Sequence, residues 1–102
     1  MSFAQLFLER SVASSTYIAI DLTDFLATGE TISNAVWTPH DAALTTLVGG
    51  TPAVDNTLHQ VSAKFNYLTA GRARIEVVVT TANPTETHVV WVLVQQYAPP
   101  VV

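Results

Sequence analysis

Three carboxylates lie close together at Asp21, Asp24 and Glu30, and hard cations such as calcium are held by carboxylates near one another in sequence. The spacing lacks the ligand at every second position that a calcium loop needs, and capping or turn roles account for Asp21 and Asp24 without a metal. His40, His59 and His88 are the only imidazoles. No two are spaced i, i+4, so they argue little for zinc, and exposed or strand-end positions are expected for them. Cysteine is absent, which excludes disulfide staples, thiolate metal sites and cysteine nucleophiles. Serines and threonines are plentiful, but no nucleophile elbow or glycine-rich phosphate loop surrounds any of them. Trp91 and Tyr67 have the faces to stack on sugars, yet both stand in apolar strands, where core packing is the expected role. No catalytic, cofactor or metal residue is therefore assigned.

The elements that position these groups read as strands. From Tyr17 to Leu22, Ile18, Ile20 and Leu22 alternate with Tyr17, Ala19 and Asp21, the period of a strand with one face buried. Asp21 and Thr23 can cap one short turn that places Leu22, Phe25 and Leu26 on a single apolar side, and Gly29 releases it. Thr31 to Thr38 resumes the strand, with Ser33, Ala35 and Trp37 assigned to one face and Ile32, Asn34 and Val36 to the other, until Pro39 removes a ladder donor. Trp37 is the expected core anchor. Leu44 to Val48 reads as a short strand broken by Gly49-Gly50-Thr51-Pro52, and Asp55-Asn56 as a turn. Val61, Ala63, Phe65 and Tyr67 share one face of a strand over Leu58 to Leu68. Ala73, Ile75, Val77 and Val79 share one face of the next, Arg72 to Ala82, after a tight turn in which Gly71 is free to take positive φ. Asn83-Pro84 closes a hairpin into a last strand, His88 to Gln96. The predicted core comprises Ile20, Leu22, Phe25, Leu26, Ala35, Trp37, Phe65, Tyr67, Ile75, Val77 and Val79.

Six or seven short strands without a convincing long helix predict an all-β, immunoglobulin-like antiparallel sandwich over residues 15–96. Residues 1–14, with Phe3, Leu6, Phe7 and Leu8, form an apolar N-terminal arm that either packs on its own sandwich as a first strand or turn or docks on a neighbouring chain, and residues 97–102, with Tyr97, Pro99, Pro100 and Val101, an extended tail. The last strand is unusual: in Val89-Val90-Trp91-Val92-Leu93-Val94 both faces are apolar, where a solvated outer face should alternate with polar residues. Something must cover the second face, either the arm or, as we favour, a neighbouring subunit. Phe3, Leu6, Phe7, Leu8, Trp91, Leu93, Tyr97, Pro99, Pro100 and Val101 are the candidate contacts.

The 102 residues suffice for one domain with a two-layer core. Charged residues make up only 12% of them, about half the usual share for soluble domains. Four basic against eight acidic residues, net charge −4, leave no electrostatic footprint for a phosphate backbone, so no direct nucleic-acid partner is expected. No apolar run approaches the ~18 residues of a membrane span, and the first residues lack the pattern of a signal peptide; the chain reads as soluble and unprocessed.

Asp21-Leu22-Thr23-Asp24-Phe25-Leu26-Ala27-Thr28-Gly29-Glu30-Thr31-Ile32-Ser33-Asn34-Ala35-Val36-Trp37-Thr38 resembles the signature of the fiber-tail adaptor family of tailed bacteriophages. Lys64-Phe65-Asn66-Tyr67-Leu68-Thr69-Ala70-Gly71 is similar to that family's strand entering a glycine turn, and Ile75-Glu76-Val77-Val78-Val79-Thr80-Thr81 to its penultimate strand. Leu22 and Phe25 stand where the family often has tryptophan, and Ala73 where it often has tyrosine. The resemblance, over roughly Tyr17 to Gln95, implies an immunoglobulin-like virion protein without catalysis or cofactor. Such a protein is assembled in the host cytoplasm and joins tail or tail-fibre components in multiple copies around a symmetric particle. A capsid decoration or collar protein of the same fold is the alternative within virions. A carbohydrate-binding or adhesion module is the alternative from another class; it requires Trp91, Tyr67 or Tyr97 exposed in a groove.

Overall fold

A computed structural model of the chain describes residues 2–98. Eight strands run in order: β1 (Ser2–Ser11), β2 (Ser14–Asp21), β3 (Thr31–Pro39), β4 (Thr45–Leu47), β5 (Ala53–Asp55), β6 (Gln60–Tyr67), β7 (Gly71–Ala82) and β8 (Thr87–Tyr97). A single 3₁₀ turn at Thr23–Phe25 separates β2 from β3. One sheet has the order β1-β8-β7-β3; the other has β2-β6-β4, with β5 also paired to β6. β4 takes Phe65 to Tyr67 and β5 takes Gln60 to Ser62 on the edge of β6 that β2 leaves free. With β3-β7-β8 in one layer and β2-β6 in the other, the connectivity is that of an immunoglobulin-like sandwich.

The core follows the alternation of the two best-patterned strands. Val61, Ala63, Phe65 and Tyr67 of β6 face Ala73, Ile75, Val77 and Val79 of β7, all without solvent exposure. Ile18, Ile20, Leu22, Ile32 and Trp37, with Val90, Val92 and Val94 of β8, complete the cluster, and Phe25, Leu26 and Ala35 pack partly buried against it. Trp37 is 5% exposed and its ring lies 5.7 Å from that of Phe65, tilted by 54°, within the range aromatic pairs favour. Outside the core, Asp21 Oδ1 accepts from the Thr23 amide (2.9 Å) and hydroxyl (2.6 Å), which starts the 3₁₀ turn. Gly29, at φ +83°, ends the connection in a conformation that a side chain disfavours.

Four features depart from the sequence-based expectation. Residues 1–14 are not an arm: β1 lies beside β8 in parallel register, Leu6 opposite Val92, and the linker shrinks to Val12-Ala13. The sandwich is thus not wholly antiparallel. Ala4, Leu6 and Leu8 turn inward against the core, so Leu6 and Leu8 serve this chain's own packing and not a subunit contact; the adjacent Phe7 is 68% exposed. In β3 the ladder slips between Ile32 and Asn34, because Ser33 is an extra residue opposite β7. That bulge turns both Ile32 and Trp37 inward, where strict alternation separates them. Finally, the expected turn at Asp55-Asn56 forms, with Asp55 Oδ1 accepting from the Thr57 and Leu58 amides, but the residues leading into it make β5, where no strand was expected, which with β1 raises the strand count to eight. Pro99, Pro100 and Val101 of the expected tail lie outside the described residues.

Candidate functional site

The outer face of the β1-β8-β7-β3 sheet carries the most unusual side chains. Cross-strand register sets Val89, Val78 and Val36 in one row, Gln5, Trp91, Glu76 and Thr38 in the next, then Phe7, Leu93 and Arg74, then Glu9, Gln95 and Arg72. Directly opposed residues point to the same side of a sheet, so these rows form one continuous surface. β1 lies in the plane of the sheet, not over it. It satisfies the edge of β8 and, among the described residues, no segment lies over the outer face. Val36 is 50% exposed and Tyr97 51% exposed, while Trp91 and Leu93 are half-buried by their neighbours.

This face is shallowly hollowed. One hollow is lined by Phe7, Leu93, Arg72 and Tyr97, and a second by Gln5, Arg74, Trp91 and Leu93. His40 flanks the sheet: its ring lies 5.2 Å from that of Trp91, and its Nε2 lies 3.2 Å from Glu76 Oε1. Trp91 therefore stands on a supported platform on the outer surface. It is not a core residue, unlike Tyr67, which is fully buried.

Arg74 is held in place by Asp41. Asp41 Oδ2 accepts from the Arg74 amide (2.8 Å) and Nε (3.1 Å), and Oδ1 from Nη2 (3.3 Å). These hydrogen bonds, more than simple charge attraction, hold the Asp41 carboxyl below its usual value of 3.8. Thr23 lowers Asp21 similarly, and Thr81 with the Ala27 amide lowers Glu30. A carboxyl whose pKa is lower in the folded than in the unfolded chain adds stability above its unfolded value, and that stability is lost as pH falls through the folded one. The melting temperature should accordingly hold from neutral pH down to about 5 and drop below about 4. In Asp41→Asn the acid-induced drop should be shallower, as read by circular dichroism melts across that window.

The carboxylate cluster suggested by spacing does not form. Asp21 accepts from the Thr23 amide and hydroxyl ahead of the 3₁₀ turn and Asp24 is exposed, whereas Glu30 is 3% exposed and turned toward Thr81. Its neighbours are residues that no local spacing connects to it, Glu86 and His88. His88 stands at the start of β8, a strand-end position as expected, but it is buried. Of the expected subunit contacts, Phe7, Trp91, Leu93 and Tyr97 come together on the outer face. The backbone of Phe3 pairs opposite Val89 at its margin.

Comparison of the chain with protein-family models and with curated proteins gives no match.

Proposed function

We propose that this protein is a non-enzymatic structural subunit that assembles with copies of itself through the outer face of the β1-β8-β7-β3 sheet. Following the resemblance described above, its place is in a tailed-phage particle, joining tail or tail-fibre components. The observation that carries the reading is the set of apolar side chains on adjacent rows of that face, Val36, Val78, Trp91, Leu93 and Phe7, which no other part of the described chain covers. Exposed apolar surface rimmed by polar groups is characteristic of protein interfaces.

Charge favours a second copy as the occupant. The chain carries a net charge of −4, yet this face holds Arg72 and Arg74, two of its four basic residues, beside Glu9 and Glu76. Like copies that repel elsewhere thus meet here across a balanced surface. The long free edge of β1 lies next to the same face and offers unpaired backbone groups to a neighbour.

Sedimentation equilibrium of the purified chain, followed by cryo-electron microscopy of the source particle, tests the proposal. A closed oligomer, and a ring of copies at the tail in contact through this face, is the expected result; a ring at the capsid would support the decoration or collar role instead. A chain that stays monomeric and occurs in no particle would overturn the reading. Trp91 and Tyr97 each line a hollow on this face, which is the arrangement a sugar-binding module needs, so glycan binding by such a monomer would establish that second function.

A further inference from the structure

At the end of the sandwich where the β7–β8 hairpin meets the turn before β3, a second cluster has a different chemistry. We propose that Glu30, Glu86 and His88 bind one divalent transition-metal ion of the zinc class. One ligand atom from each lies within 4.8 Å of the others, the one such group of three among the described residues.

His88 points to a ligand most directly. It is 4% exposed, and neither ring nitrogen has a hydrogen-bond partner. A buried polar group left unpaired is costly, and native chains rarely keep one without a use. Its Nε2 faces Glu86 Oε2 at 3.5 Å. Two ligands at ~2.0–2.1 Å from a tetrahedral ion stand roughly 3.4 Å apart, so this pair already has the span of one edge of a zinc site. The Glu86 side chain is half exposed and free to close on the ion from the solvent side.

Glu30 supplies the third ligand with its orientation already fixed. Its Oε1 accepts from the Ala27 amide at 2.7 Å and its Oε2 from the Thr81 hydroxyl at 2.5 Å. Both oxygens keep a lone pair for a metal, and such outer hydrogen bonds are what orient ligating carboxylates. The same bonds lower the Glu30 carboxyl, which keeps it charged. Two carboxylates and a neutral imidazole around a doubly charged ion leave no net buried charge. The imidazole favours zinc and its transition-metal neighbours over calcium and magnesium, which take oxygen ligands. Three protein ligands leave a fourth position for water on the exposed Glu86 side. The ion would tie the hairpin to the β3 turn, a structural staple in a chain without disulfides.

The test is titration of chelator-treated protein with zinc sulfate near neutral pH, followed by calorimetry and native mass spectrometry. Uptake of one ion per chain is expected, with a rise in melting temperature. Glu86→Ala removes a half-exposed side chain while its backbone amide keeps the bond to Thr81, and it should weaken zinc binding at least about tenfold. A His40→Ala, His59→Ala double variant should bind as the parent does. Failure to take up zinc stoichiometrically would overturn the proposal. Uptake undiminished by Glu86→Ala would overturn it equally.

Discussion

Trp37→Ala should cost about 3 to 5 kcal/mol of folding stability, as large aromatic truncations in a closed core do. The indole is buried between the sheets against Phe65, in the strand whose bulge at Ser33 turns it inward. Neighbouring β-branched residues held in paired strands cannot collapse far into the space it leaves. Since a domain of this size has only about 5 to 15 kcal/mol of stability, the variant should be largely unfolded or melt far below the parent. Urea titration followed by tryptophan emission and far-ultraviolet circular dichroism measures this. A loss under ~1 kcal/mol would mean that the site tolerates the cavity and that the core is not anchored there.

Trp91→Ala should do the opposite, leaving the fold in place and breaking assembly. Trp91 lies on the outer surface of β8, supported by His40 and flanked by Leu93. Tryptophans at the centre of an interface commonly contribute 2 kcal/mol or more, so the dissociation constant between copies should rise by about thirtyfold or more. Leu93→Glu, which places a carboxylate in the adjacent row of the same face, should have at least as large an effect. Sedimentation velocity over a concentration series gives the association constant, and thermal melts of the same samples report the fold. Full assembly of both variants would place the interface elsewhere on the molecule.

The contrast between the two tryptophans shows how much the sequence reveals. Where apolar and other residues alternate without interruption, as in Val61 to Tyr67 and Ala73 to Val77, the buried face can be read directly, and with it most of the core. In β3 the parity breaks at one extra residue, Ser33, and nothing in a Thr-Ile-Ser-Asn run marks a bulge. In β1 the run Leu6-Phe7-Leu8 hides a period of two, because Phe7 makes the side toward solvent apolar as well. β5 is three residues long, too short for any pattern. The apolar outer face of β8 was legible from Val89 to Val94 as a surface in need of cover. That β1 covers its edge and not its face depends on a pairing nearly ninety residues apart in the chain.

The Glu30, Glu86 and His88 cluster was not legible by spacing, since its members come together only when the hairpin folds over the β3 turn. A subtler signal was present. Continuing the inward parity of β7 past Val79 reaches Thr81, and running that of β8 back from Val90 reaches His88. Two polar residues at core-facing positions on the same end of one hairpin call for a buried polar partner, and Glu30 is that partner.

Because the chain has no cysteine, Val36→Cys would introduce a single thiol in the row of Val78 and Val89 on the outer face. The rate at which that thiol reacts with a maleimide, measured over increasing protein concentration, reports directly whether copies cover the face. Fast labelling in dilute solution and strong protection once the chains associate are expected, with no protection for Leu58→Cys, an exposed position between β5 and β6. A Val36→Cys labelling rate that does not change with concentration would contradict the assignment of this face as the surface through which the protein assembles.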